Sequence, residues 1–353
     1  MAGNLNIPIF FPRAGKARAE GLTILAGDVG GTKSNLAYYE VSNNGLKLIA
    51  EATYHSADFH SCSELIKAFY ARFSRQKPNR ICLGVAGPVL GGRVYLTNLN
   101  WSLDIDEIKH DFGVDEVALL NDLEATAYGL EGLGADDLIN IHEGSVEYPG
   151  NMAIIAPGTG LGEAGLYWDG EFCRPFPTEG GHTDFSPRKE IDMKLLEWLN
   201  KKYEVVSWEK VIAGPAIHDI YEFLSAFRKR KEPDWLTKIL QDTDPSAAIS
   251  QLGLEEKDSV CTETMQLFVR YLARESANLV LKMKATGGLF LGGGIPPKIT
   301  PLLQQNVFYD NFLDCDRLQY MVAKVPIKII LNPKTALLGA GFWGAFGAPQ
   351  AKV

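Results

Sequence analysis

Short apolar runs that end at glycine or at a polar pair dominate the hydrophobic pattern of this chain. Residues 22–27, 80–85, 117–120, 152–156 and 289–291 are compact apolar stretches of strand length, and each reads as a buried strand. Residues 34–40 and 46–53 continue the first of them as a three-strand meander, with Ser42-Asn43-Asn44-Gly45 as the turn. Helical spacing appears at 64–73, where Leu65, Ala68, Phe69 and Phe73 share a face, and a helix is predicted from about Asp122 to Leu130. The second half is richer in helix. Residues 191–202 and 215–228 are amphipathic, and 259–284 is the longest helical pattern, with Gly287-Gly288 as its expected C-cap. A last strand at 326–331 and a small-residue helix at 334–346 close the chain, the helix returning to the first lobe.

This order, strands first and then alternating helix and strand, predicts an α/β protein. The sequence strand, glycine turn, strand occurs twice, about 130 residues apart, as a repeat of pattern and not of identity. At 353 residues the chain is long enough for two lobes. No low-complexity linker separates them, so the chain is expected to cross between lobes more than once. Residues 1–21 carry one apolar patch, 7–11, interrupted by Pro8 and stopped by Pro12; they read as an N-terminal arm, mobile or clipped to a neighbouring subunit, and not as a signal peptide.

Charge and cysteine content narrow the function. The net charge is −8 and there is no basic stripe, which argues against a nucleic-acid partner. No apolar run reaches bilayer-spanning length, so no membrane partner is expected. Five scattered cysteines (Cys62, Cys82, Cys173, Cys261, Cys315) form no C-x-x-C pair, which suits a reducing cytoplasm.

The candidate chemistry lies in the turns. Asp28-Val29-Gly30-Gly31-Thr32, Gly158-Thr159-Gly160-Leu161-Gly162 and Gly292-Gly293-Gly294-Ile295-Pro296-Pro297 each follow a strand. Glycines there let backbone N–H groups converge on an anion. Gly30 and Gly31 suit a tight hairpin with positive φ, and with Thr32 they offer donors to a terminal phosphate. Asp28 could hold Mg2+, directly or through water, because Mg2+ takes few carboxylates plus phosphates and waters. The third turn could pass against a flat adenine or a ribose. Singly, each is equally an ordinary turn; together they suit one nucleotide.

Asn121-Asp122 stands where a strand meets a helix. Either residue could simply cap the helix. The chemical alternative makes Asp122 the base that accepts a hydroxyl proton during phosphoryl transfer, with Asn121 fixing substrate hydroxyls. Thr178-Glu179-Gly180-Gly181-His182 combines acceptors and a donor that suit vicinal hydroxyls, or is a polar surface loop. Glu209, taken alone, reads as a solvated helix charge.

The ordered motifs GDVGGT (27–32), TNLNW (97–101), LLND (119–122), GTGLG (158–162), EGGH (179–182), EKVIAGP (209–215) and GGLFLGGGIPP (287–297) resemble the bacterial ATP-dependent glucokinase family of the actin-like sugar kinase superfamily. The likeness runs from about residue 22 to 347. It implies an α/β fold of two actin-like (ribonuclease H-like) lobes, with mixed sheets and helices around a deep interlobe cleft. The expected division is an arm at 1–21, a small domain of 22–132 plus 333–353, and a large domain of 133–332. The resemblance implies transfer of the γ-phosphate of ATP to the 6-hydroxyl of glucose, with Mg2+. It puts Asp122 on the catalytic base, and Asn121, Glu179, His182 and Glu209 on the sugar ligands. Asp28, Gly30, Gly31 and Thr32, with Gly158, Thr159 and Gly160, fall on the phosphate loops; Gly293 and Gly294 fall on the adenosine loop. The family generally forms homodimers. Lys33 stands where many relatives carry Asn; it could add a phosphate contact, and reads more simply as solvated. After His182 the segment Thr183-Asp184-Phe185-Ser186-Pro187 lacks the cysteines of the related repressor/kinase group, so no zinc is expected.

Two rivals remain open on the sequence. One is a kinase of mannose, fructose or an N-acetylhexosamine on the same fold. The other is a non-catalytic sugar sensor or transcription regulator. For the latter, the residues before 22 are too few and too proline-broken for a helix-turn-helix.

Overall fold

A computed structural model describes residues 7–13, 20–42, 45–73, 77–145 and 149–348. It divides into two compact units. The first takes the described residues up to Asp137, with Asp169–Pro177 and those from Asn332 onward; the second is Leu138–Trp168 with Thr178–Leu331. The chain therefore passes between units four times. No helix among the described residues is long and apolar enough to cross a membrane.

The first unit is built on a five-stranded mixed sheet. Its strands are β1 (Thr23–Val29), β2 (Lys33–Ser42), β3 (Gly45–His55), β4 (Arg80–Val85) and β7 (Glu116–Asn121), in the order β3-β2-β1-β4-β7. The meander β1–β3 is antiparallel, while β1, β4 and β7 run parallel. The register Asp28↔Gly84 and Val85↔Asn121 brings Asp28 and Asn121 to the same carboxyl ends of the parallel strands. The β2–β3 turn at Asn43-Asn44 lies outside the described residues. On one face, Leu65, Ile66 and Phe69 of the helix Cys62–Phe73 pack into a core with Leu25, Leu36, Ile81, Leu83 and Leu119.

The helix Thr335–Phe346 is apolar on most sides and rich in small residues for a packing reason. A Cβ on Gly339 would stand 1.7 Å from the Ala125 carbonyl oxygen, and one on Gly344 2.5 Å from Ile24. Within it Trp343 packs on Tyr128, ring centroids 4.7 Å apart.

Two further strands, β5 (Arg93–Leu96) and β6 (Trp101–Asp104), form a hairpin that sequence reading passes over. Val94, Leu96, Trp101 and Leu103 are its buried apolar positions. Asp104 then caps the helix Ile105–Phe112 by accepting from Asp106 N at 2.8 Å.

Residues 7–13 correct the expectation of a mobile arm. Ile7 and Ile9 are buried, Phe10 N donates to Cys173 O at 2.9 Å, and Cys173 N donates to Pro8 O at 2.7 Å. Phe11 packs between Tyr128 and Phe346, and Arg13 pairs with Glu116 at 2.6 Å. The prolines do not stop this run, because an extended edge segment tolerates them where a helix would not.

The second unit carries β8 (Leu138–His142), β9 (Met152–Pro157), β10 (Leu161–Trp168), β12 (Gly288–Leu291) and β13 (Ile327–Ile330), in the order β10-β9-β12-β13-β8. Strand β11 (Cys173–Thr178) straddles the division between units. As in the first unit, an antiparallel hairpin (β9–β10) adjoins a parallel pair (β9–β12). The helix Ser259–Met283 is the spine of the core, with Met265, Phe268, Leu272 and Leu279 buried. Asp258 caps it, accepting from Val260 N and Cys261 N, both at 3.0 Å. Its C-cap is Lys284, at φ 49°, and not the expected Gly287-Gly288. The helix stops before those glycines because a non-glycine residue takes the left-handed position.

A buried ion cluster ties this core together. Asp192 accepts from Arg270 Nη2 at 2.5 Å, Arg274 Nη1 at 2.7 Å, Tyr271 OH at 3.1 Å, and the backbone of Arg188 and Lys189 at 3.0 Å each. Burial opposes its ionisation; these bonds and the two guanidinium groups outweigh burial and hold its carboxyl below the usual range.

Candidate active site

In the first unit the site residues gather at the carboxyl ends of β1, β4 and β7, where open α/β sheets place their ligands. Asp28, on β1, is half-buried. Its Oδ2 accepts from Asn35 Nδ2 across the β1–β2 hairpin at 3.1 Å. Burial pushes its carboxyl up from the ordinary value, with the Asn35 bond opposing.

The turn that follows corrects the sequence reading. Neither Gly30 nor Gly31 has positive φ. What Gly31 needs is closeness: a Cβ there would stand 3.3 Å from Asn98 Cβ. The motif 97–101 is thereby set against the first turn, and Asn98 is a site candidate that sequence reading quoted but gave no role. Gly30 N donates to Lys33 O at 3.1 Å, Ser56 Oγ donates to Gly30 O at 2.7 Å, and Thr32 is exposed.

Asn121 is the N-cap of the helix Asp122–Gly129. Its Oδ1 accepts from Leu123 N at 2.9 Å and Glu124 N at 3.3 Å, and its Nδ2 donates to Gly87 O at 3.2 Å. The capping role is thus real, and it leaves one N–H of the amide for another partner. Asp122 occupies the first turn, where the helix dipole favours a carboxylate. Its Oδ1 accepts from Leu123 N at 2.9 Å. Glu124, two residues on, is a titratable group the sequence did not mark; burial pushes its carboxyl up to about 7, against a backbone hydrogen bond from Asn121.

The second unit assembles more of the predicted residues around one segment, Leu161–Glu163. The turn 158–160 is closed by Gly158 N donating to Gly160 O at 2.8 Å, and Gly214 N donates to Gly158 O at 2.8 Å. Thr159 is exposed at its tip. Glu209 is no free surface charge: its Oε2 accepts from Leu161 N at 3.2 Å, and its Oε1 pairs with Lys210 at 3.1 Å. Glu179 precedes and His182 ends a single 3-10 turn (Gly180–His182), both largely exposed, with His182 Nε2 4.0 Å from a Glu179 oxygen. That turn sits on β10. A Cβ on Gly181 would lie 2.1 Å from Leu161 O, and one on Gly180 1.9 Å from Glu163 Oε2. Thr178 Oγ1 anchors the approach by donating to Glu163 O at 3.0 Å.

The third turn abuts the second. Gly292 N donates to Ile155 O at 2.9 Å and Ile295 N to Pro157 O at 3.3 Å. Gly293, at φ 79°, is where glycine is obligatory, since a Cβ would stand 2.4 Å from Pro157 O. Gly293 and Gly294 are exposed.

The second unit therefore brings together Gly158, Thr159, Gly160, Glu179, His182, Glu209, Gly293 and Gly294. Asp28, Gly30, Gly31, Thr32, Asn121 and Asp122 are grouped in the first. Sequence reading missed Glu163, a buried acid immediately after the second glycine turn; an acid in an apolar strand pattern was its one available signal.

The glucokinase family model matches residues 25–345. Glucokinase of Nostoc punctiforme is 37% identical over 336 residues, covering 91% of this chain and 98% of the relative. The crystal structure of a glucokinase from an Antarctic psychrotroph superposes with a TM-score of 0.77 at 30% identity, over 91% of this chain and 98% of that one. A glucokinase from Balamuthia mandrillaris, solved in complex with glucose, gives a TM-score of 0.76 at 20% identity, covering 92% and 94%, which shows the shared fold. Family match, extent and fold coincide, and the chain belongs to the glucokinase family of sugar kinases, with that family's actin-like α/β fold.

Proposed function

We propose that this protein transfers the γ-phosphate of ATP to the 6-hydroxyl of glucose, giving ADP and glucose 6-phosphate. The observation that carries this reading is the convergence on Leu161–Glu163. The second glycine turn, the Glu179–His182 loop and Glu209 all seat on those three residues, so donors for phosphate and acceptors for hydroxyls share one rigid segment of β10.

In this reading Glu179 accepts from sugar hydroxyls, and His182 donates or accepts beside it. Glu209 contributes while it braces the turn. Asn121 offers the remaining N–H of its amide. Asp122 takes the proton of the attacking hydroxyl, which leaves late in a loose phosphoryl transfer. The exposed turns at 158–160 and 293–294 hold phosphate and adenosine, and the turn 30–32 holds the terminal phosphate. Asp28 fits Mg2+, as one half-buried carboxylate beside a phosphate turn, and the ion would neutralise phosphate charge there. Asn35 orients the carboxylate. We assign the enzyme to the cytoplasm, on its five free thiols, and to a homodimer, on the family resemblance.

The deciding experiment measures sugar-phosphate formation from glucose, mannose, fructose and N-acetylglucosamine, each with ATP and with polyphosphate, with and without Mg2+. Highest kcat/KM for glucose with Mg-ATP is expected. Preference for another sugar or donor would overturn the assignment.

A further inference from the structure

Glu163 is buried on β10, and its Oε1 finds no hydrogen-bond partner among the described residues. Its other oxygen lies directly under Gly180, at a distance only glycine permits. Its own backbone oxygen receives Thr178 Oγ1, which in turn accepts from Gly180 N at 3.2 Å. Both ends of this residue thus support the loop that carries Glu179 and His182.

We propose that Glu163 is a positioning residue whose neutral carboxyl props the Glu179–His182 loop in its sugar-binding conformation. The inference rests on reading that loop as the sugar site. The groups facing Glu163 make the neutral form the native one. Glu275, fully buried on the helix Ser259–Met283, has its own partners: Lys282 at 2.9 Å and Asn278 at 2.8 Å. It is the member of the pair equipped to hold a negative charge. Glu163 has no such partners. β9 offers only Ile155 beside it in register, and the loop above brings Glu179 and His182, which are largely exposed. Burial first, and Glu275 second, push the Glu163 carboxyl up to about 8, with Lys282 opposing. An ionised Glu163 would need hydration where Gly180 now sits.

The test compares wild type with E163Q, E163A and E179Q, measuring glucose KM and kcat at pH 7 and 9. A carboxyl pushed up to about 8 passes from mostly neutral to mostly ionised over that interval. Apparent glucose affinity should then weaken about tenfold in the wild type, with kcat little changed. E163A should raise KM already at pH 7, and the isosteric E163Q should rescue it and remain flat to pH 9. An equal alkaline rise of KM in E163Q, or failure of E163Q to rescue, would overturn the proposal. E179Q separates the two readings: if it leaves glucose KM unchanged, the sugar site itself is misplaced. If E179Q raises KM while E163Q stays pH-dependent, only the positioning role falls. Melting curves give a readout free of sugar. Wild-type stability should fall relative to E163Q from pH 5 to pH 8, because the folded state holds a proton there that the unfolded chain has lost. A constant difference over that range would also count against the proposal.

Discussion

The hairpins β1–β2 and β9–β10 share a backbone plan and differ in what they bury. Each is an antiparallel pair closed by a glycine turn, and each has its first strand paired in parallel on the other side. In the first, the acid precedes the turn, half-buried and bonded to Asn35, and the buried polar residue after the turn is Ser34, which pairs with Ser56 Oγ at 2.9 Å. In the second, Pro157 precedes the turn and the buried polar residue after it is Glu163, with one oxygen left without a hydrogen-bond partner among the described residues. One hairpin keeps a half-buried acid hydrogen-bonded to the side-chain amide of Asn35. The other spends a buried carboxyl on supporting a neighbouring loop. A repeated fold therefore does not repeat its electrostatics.

The largest test of this division is Asp122→Ala. If the first unit supplies the base and the second the sugar acceptors, kcat should fall roughly 10²–10⁴-fold, about 3–5 kcal/mol, with glucose affinity nearly unchanged. Near-normal turnover would remove the chemical step from the first unit altogether. Steady-state kinetics with a glucose titration reads both quantities.

Next in size is Asp192→Ala, which probes a buried acid of the second unit that has every partner Glu163 lacks. Removing it strands Arg270 and Arg274 in the core, and urea unfolding at pH 7 should show a loss of about 3–5 kcal/mol. The folded carboxyl is depressed, so its stabilisation is present above the unfolded value, 3.8, and is lost as pH falls below it. The wild-type-to-variant gap should thus narrow toward pH 3. Glu163 should show the opposite dependence, weakening stability as pH rises. A gap for Asp192 that stays constant down to pH 3 would mean that packing, not charge, holds the cluster.

These contrasts bear on what a sequence reveals. The strands β1, β4, β7 and β9 were legible because each is a buried apolar run ended by glycine or a polar pair, and the helix Ser259–Met283 because its apolar face repeats over many turns. The β5–β6 hairpin was not: four-residue strands alternate too briefly to register, and its Asp104 cap belongs to a helix of only eight residues. At the site, residue types gave the turns, while their physical reasons needed neighbours. Gly31 is small because of Asn98, and Gly180 because of Glu163, each far away in sequence. Asn121 shows both readings of one residue at once, since a cap that uses three of its hydrogen bonds keeps a fourth.

Glu179→Gln comes third. An amide keeps the size of the side chain and loses one anionic acceptor, so glucose KM should rise about tenfold, roughly 1.4 kcal/mol, with kcat changed less. Placed beside Asp122→Ala, it makes a kinetic double contrast: one variant moves kcat, the other KM. Equal movement of both parameters in both variants would dissolve the division of labour between the units.

The smallest effect returns to the hairpins. Ser34→Ala removes one satisfied neutral hydrogen bond from the first, and leaves Ser56 Oγ its bond to Gly30 O. Stability should fall by about 1 kcal/mol at every pH, because no proton is gained or lost. The matching change in the second hairpin, Glu163→Gln, should be pH-dependent and favourable above pH 5, since the amide needs no proton to be neutral. Parallel pH profiles for the two variants would show that Glu163 is as quietly satisfied as Ser34, and that the hairpins are electrostatically alike. Diverging profiles would place the second unit's pH sensitivity beneath Gly180, on a residue that touches neither phosphate nor sugar.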